Sequence, residues 1–144
     1  MSTSDDFDAA IEANHQALDR IARGDPEGFF DLYSHADDAT LANPFNPPLR
    51  GWNAIEDAGR RAAADYRDGQ ALGFENLARC VMGDLAYIVE VERFETKVGG
   101  SEDITPVALR VTSIFRREDG AWKLLHRHAD PITTARPAES VVQR

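Results

Sequence analysis

Apolar and polar residues repeat with two different periods along this chain, and the switch falls near its middle. Up to residue 66 the apolar positions recur at helical spacing. Phe7, Ala10, Ile11, Asn14, Ala17, Leu18 and Ile21 form one stripe, with Ser4 or Asp5 ahead of it as cap and Gly24 as terminator. Asp25-Pro26 pairs a capping side chain with a proline suited to a first helical turn, and so opens a short helix through Phe29, Phe30, Leu32 and Tyr33. Residues 36–43 predict a short strand, in which Ala39, Leu41 and Asn43 alternate with Asp38, Thr40 and Ala42. The run Pro44-Phe45-Asn46-Pro47-Pro48 forces an irregular loop, because prolines fix φ and remove ladder donors. Helix returns over residues 52–66, with Asn53 as cap and Ile55, Ala58, Ala62 and Tyr66 on the periodic face.

From Phe74 onward the period is two. Strands over 74–82 and 85–97 meet at Gly83-Asp84, a loop spans 98–103, and a long strand runs to Glu118. Asp119-Gly120 is a strong two-residue hairpin signal, and the last strand continues to Asp130, where Pro131 stops it. Leu109, Val111, Ser113 and Phe115 share one face, opposite Arg110, Thr112, Ile114 and Arg116. Across the turn, Leu125, Arg127 and Ala129 alternate with Trp122, Leu124, His126 and His128. Neither face is wholly polar, so both meet something other than water. Helices first and an antiparallel meander afterwards define an α+β domain over residues 1–131, followed by a polar tail over 132–144.

Composition narrows the function classes. The chain has 144 residues, 42% hydrophobic and 28% charged, as expected for one globular domain. A net charge of -9 repels phosphate backbones and anionic lipid, so neither nucleic acid nor membrane is an expected partner. The single cysteine, Cys80, cannot build a disulfide framework and is expected as a small buried hydrophobe. The acidic start MSTSDDFDAA has no signal-peptide pattern and no stretch is long enough to span a bilayer, which makes the cytoplasm the expected location. No Gly-rich phosphate loop, nucleophile elbow or metalloprotease motif occurs, so neither a nucleotide nor a metal cofactor is expected.

Two segments together resemble the nuclear transport factor 2-like superfamily. One is Gly24-Asp25, LYSHADDATLANP from Leu32 to Pro44, and Arg50-Gly51; the other is Asp119-Gly120-Ala121-Trp122 followed by Lys123 to His128. That superfamily includes ketosteroid isomerases, polyketide cyclases, scytalone dehydratase and the association domain of the calmodulin-dependent kinase. The resemblance spans about residues 7 to 131. It implies a cone, in which a curved antiparallel sheet wraps three helices of the N-terminal half around an interior pocket, usually in a dimer. The ketosteroid isomerase pattern carries a general-base aspartate where this chain has Asn43, an oxyanion-hole aspartate near Ser113, and a tyrosine near Ala17. An amide cannot act as a general base near neutral pH, so the resemblance does not extend to that mechanism.

Alternation then nominates the pocket residues. On the strand from Leu85, the more apolar set Tyr87, Val89, Val91 and Arg93 is expected inside, and Ile88, Glu90, Glu92 and Phe94 outside. This places Tyr33, Asn43, Tyr87, Ser113 and Arg127 around one cavity. Arg127 is the most suggestive, because a guanidinium facing an apolar interior requires an anion or carboxylate, from a ligand or from an acidic side chain. The kinase association domain also carries a pocket arginine on its last strand, one that follows the second histidine. His126 and His128 have a spacing able to chelate metal, but two ligands are too few. They are expected on the outer sheet face, with Trp122 and Leu124, as part of a homodimer contact. Glu90, Glu92, Arg110 and Thr112 would extend that face as a polar ladder. Were the strand faces inverted, His126 and His128 would become the leading catalytic pair.

The sequence thus points to a small-molecule-binding protein or enzyme of the polyketide cyclase/isomerase-like class. Its ligand would be apolar, in one version carboxylated, and its acid–base chemistry would fall to Tyr33 or a histidine. The alternative is a non-catalytic homodimerisation module with a vestigial cavity.

Overall fold

A computed structural model describes residues 3–143. Helix α1 (Thr3–Ile21) already contains Ser4 and Asp5, so these lie inside its first turn rather than ahead of it. The predicted stripe is the one that packs: Phe7, Ala10, Asn14, Ala17, Leu18 and Ala22 are buried, while Ile11 and Ile21 flank them. Asp25 accepts the Glu27 N–H at 3.0 Å and so starts α2 (Glu27–Leu32), which buries Phe29, Phe30 and Leu32. Strands β1 (Thr40–Ala42) and β2 (Leu49–Arg50) are short, as the intervening prolines require, and α3 (Trp52–Ala64) follows Gly51 rather than an Asn53 cap.

The remaining chain forms β3 (Tyr66–Met82), β4 (Leu85–Val98), β5 (Ile104–Glu118) and β6 (Ala121–Asp130). Sheet order is β2-β1-β6-β5-β4-β3. The long strands pair antiparallel, whereas β1 joins β6 in parallel, which makes the sheet mixed. Strand β3 begins eight residues before the predicted Phe74. Its first part hides the period-two signal because Asp68 takes a left-handed φ of 57° and two register shifts, between Arg67 and Gln70 and between Ala71 and Gly73, interrupt its pairing with β4 there. Asp119 and Gly120 both have positive φ, 51° and 80°, the backbone of a type I′ hairpin turn. Beyond β6 the tail is exposed and holds one turn of 3-10 helix, Ala138–Val141.

The concave side of the sheet covers the three helices. Phe7 anchors the contact, fully buried and edge-on to Phe115 and Trp122 at centroid distances of 5.1 and 5.3 Å. Aromatic pairs of this geometry contribute about 0.5–1.5 kcal/mol beyond area burial.

Two face assignments are corrected. On β4 the buried set is Ala86, Ile88, Glu90, Glu92, Phe94 and Thr96, and Tyr87 and Arg93 are exposed on the convex side. Apolarity misleads there because the two glutamates are buried with partners, His15 for Glu90 and Arg127 for Glu92. On β6, Trp122 and Leu124 point into the core, 6% and 0% exposed, rather than onto the outer face. A bulge explains this: Ile114 pairs with His126 but Phe115 pairs with Leu124, so Leu125 is an extra residue and strand parity flips across it. Arg127 and Ala129 face inward, as alternation from the far end of the strand predicts.

Candidate functional site

Small residues leave room where α1, α3 and the sheet converge. Ala22, Gly59, Ala62 and Ala129 border a cavity of about 690 Å³ of empty space, its open mouth included. Gly59 is required for this approach, since a Cβ there would lie 2.6 Å from the Phe30 ring. Leu18, Phe29, Leu41, Phe94, Val107 and Leu109 make most of the wall, and Asn43, Pro44, Phe45 and Tyr66 also line it.

Among the described residues, one charged side chain lines this apolar space. Arg127, from β6, donates through both terminal nitrogens to Glu92 of β4, at 2.8 and 2.7 Å. The residues are 6% and 0% exposed. Burial opposes the guanidinium charge, but Glu92 overcomes this and raises the Arg127 pKa above its ordinary value. The carboxylate that the sequence demanded for Arg127 therefore comes from within the chain. The pair forms because β4 and β6 flank β5 and aim these side chains across it on the concave face.

The other nominated residues divide. Asn43 lines the cavity, with its Oδ1 accepting the Phe45 N–H at 3.0 Å. Tyr33 is buried behind the wall, and its hydroxyl donates to the Thr40 carbonyl. Burial pushes its phenol well above the ordinary range, against the opposing influence of Arg127. Ser113 is fully buried beside Arg127 in the β5–β6 register, but does not line the cavity, and among the described residues its Oγ has no hydrogen-bond partner. Tyr87 is on the opposite side of the sheet and takes no part.

His126 and His128 also lie on the convex face, with Thr112 and Arg110 but without Glu90 and Glu92. His126 Nδ1 is 2.7 Å from Thr40 Oγ1, and His128 Nε2 is 2.9 Å from Asp130 Oδ2, while the other Asp130 oxygen, Oδ1, accepts from Arg110 Nε. Partial burial and the adjacent His128 push the His126 pKa below the usual imidazole value. Among the described residues no three His, Cys, Asp or Glu side chains gather as a metal-binding group. Cys80 lies partly buried on β3 rather than within the core.

The buried partner of Arg127 escapes the sequence reading. Glu92 was assigned outside, although Ile88 and Phe94 on its own face signalled an interior strand side and Arg127 needed an acid. Tyr66, read in the sequence as the end of the third helix, instead begins β3 and lines the cavity. Burial raises its pKa, with Arg127 acting in the opposite sense, so it stays a neutral phenol near pH 7.

A mixed, curved sheet packed over helices around an open-mouthed apolar cavity defines a cone-shaped α+β domain. Residues 10–133 match the SnoaL-like domain, and the chain belongs to that family within the nuclear transport factor 2-like superfamily. The fold is similar to that of a putative dehydratase of the NTF2-like family from Streptomyces avermitilis, at TM-score 0.74 and 23% identity over 90% of this chain and 96% of that one. An NTF2-like superfamily protein from Salmonella enterica serovar Typhimurium superposes at TM-score 0.77 and 16% identity, over 96% and 99% of the two chains. A ketosteroid isomerase-like protein from Erwinia carotovora atroseptica gives TM-score 0.71 and 18% identity, over 88% and 94%. No curated protein matches the chain.

Proposed function

We propose that this protein holds an apolar small molecule in the cone cavity, as a binding protein or as an enzyme of the isomerase, cyclase or dehydratase kind. The observation that carries this reading is the Arg127–Glu92 pair at the wall of an otherwise apolar cavity. A buried ion pair is a poor route to stability, since apolar residues of similar volume serve as well or better. Its presence at a cavity wall is better explained by the hydrogen bonds a guanidinium offers to a ligand. The names of the similar structures, a dehydratase and a ketosteroid isomerase-like protein, support the same class.

Acid–base chemistry here would differ from that of the ketosteroid isomerase pattern. Among the described residues, no Asp, Glu or His lines the cavity. Tyr33 is committed to a backbone carbonyl and the histidines of β6 face the other way. Tyr66 is the side chain in position to give or take a proton.

Thermal denaturation tests the reading. A naphthalene-sized ligand at about a hundredfold its Kd should stabilise the wild type by about 2.7 kcal/mol, a shift of several degrees in Tm. Ala62→Trp, which fills the cavity from α3, should melt cooperatively and lose that shift. A shift retained in Ala62→Trp would place the ligand elsewhere and defeat the proposal.

The convex face favours a second reading, that of a homodimerisation module. Leu77, Met82, Leu85 and Tyr87 on the β3–β4 hairpin are 61%, 67%, 47% and 37% exposed, an unusual concentration of large apolar side chains at the surface. The proposed contact would use Tyr87, Ile114, His126 and His128, without the core residues Trp122 and Leu124. Light scattering should then find a wild-type dimer and a monomeric Tyr87→Glu variant. A monomeric wild type would end this reading.

A further inference from the structure

Resting on the cavity reading above, we infer that Phe45 and Tyr66 form an aromatic gate across the mouth of the cone and set the rate at which a ligand enters. Phe45 lines the cavity and is nevertheless 56% exposed, the most open of the lining residues, so its ring stands at the mouth rather than in the wall. Tyr66 begins β3, at one edge of the sheet, whereas Phe45 lies between β1 and β2, at the other edge. The curl of the sheet brings the two rings to a centroid distance of 6.4 Å, inclined by 56°. Their contact therefore bridges the mouth and narrows it.

The residues around Phe45 make its side chain, not its loop, the moving part. Pro44, Pro47 and Pro48 fix φ at three positions of the loop. Asn43 Oδ1 accepts the Phe45 N–H at 3.0 Å and holds the backbone from within the loop. Among the described residues, Tyr66 is the one aromatic ring in contact with Phe45. Tyr66, half-buried at the start of β3, is the fixed post. Rotation of the exposed Phe45 ring about χ1 opens the mouth without disturbing any helix or strand. Such rotations are fast, so the gate acts through the fraction of time it stands open. A ring contact at this separation favours the closed rotamer about three- to tenfold, and entry is slowed by the same factor.

Stopped-flow quenching of tryptophan emission by acetonaphthone measures association and dissociation separately in the wild type, Phe45→Ala, Tyr66→Ala and the double variant. Phe45→Ala should raise the association rate constant about three- to tenfold. Tyr66→Ala should give a similar rise, and the double variant no further one, because either change removes the same contact. Association at the wild-type rate in Phe45→Ala, with dissociation alone faster, would make Phe45 an ordinary wall contact. That result would overturn the gate and leave the cavity reading standing. Rises that multiply in the double variant would overturn the pairing of the two rings. Absence of acetonaphthone binding to the wild type, by quenching and by ligand-observed NMR, would remove the cavity reading and the gate together.

Discussion

Arg127 and Glu92 are individually costly and jointly tolerable. Each has lost its water, and each hydrogen-bonds the other through two contacts below 3 Å. The physical expectation is therefore an asymmetry between single and double replacement. Arg127→Met alone leaves the Glu92 carboxylate buried without a counter-charge and should cost about 3–5 kcal/mol in urea denaturation. Adding Glu92→Leu should recover most of that loss, because both charges then leave together. Equal losses in the single and double variants would mean that the carboxylate is not stranded, and the buried pair would have to be abandoned. Neither residue's role was legible locally. Arg127 was visible as a charge that needed an acid, but its acid lies 35 positions away on a strand whose apolar alternation favoured the opposite face.

The elements were easier to read than their faces. The α1 stripe and the Asp119-Gly120 turn follow from local rules of spacing and backbone conformation, and both occur as expected. Strand faces depend on parity, which one extra residue reverses. Leu125 is such a residue, so Trp122 and Leu124 entered the core although Arg127 and His128 kept their expected sides. No composition rule marks that bulge within KLLHR; it arises from how β5 and β6 pair. On β4 the error has another origin. Buried Glu90 and Glu92 look like surface residues until His15 and Arg127 are brought to them by tertiary structure. The cavity was equally hidden, since Ala22 just after α1, Gly59 and Ala62 on α3 and Ala129 on β6 are far apart in the chain and only the fold sets them side by side.

At the scale of the molecule, one sheet presents two dissimilar faces. The concave side encloses the cavity with its neutral ion pair, and the convex side exposes Tyr87, His128 and neighbouring apolar groups. Among the described residues no helix is long and apolar enough to cross a membrane. The proposed function assigns ligand recognition to the concave side alone. Methyl NMR with acetonaphthone measures this directly, because Leu18, Leu41, Val107 and Leu109 line the cavity while Val89, Val91 and Ile114 belong to the convex face. Titration should shift the first group and leave the second in place; shifts confined to Val89, Val91 and Ile114 would contradict a ligand site inside the cone.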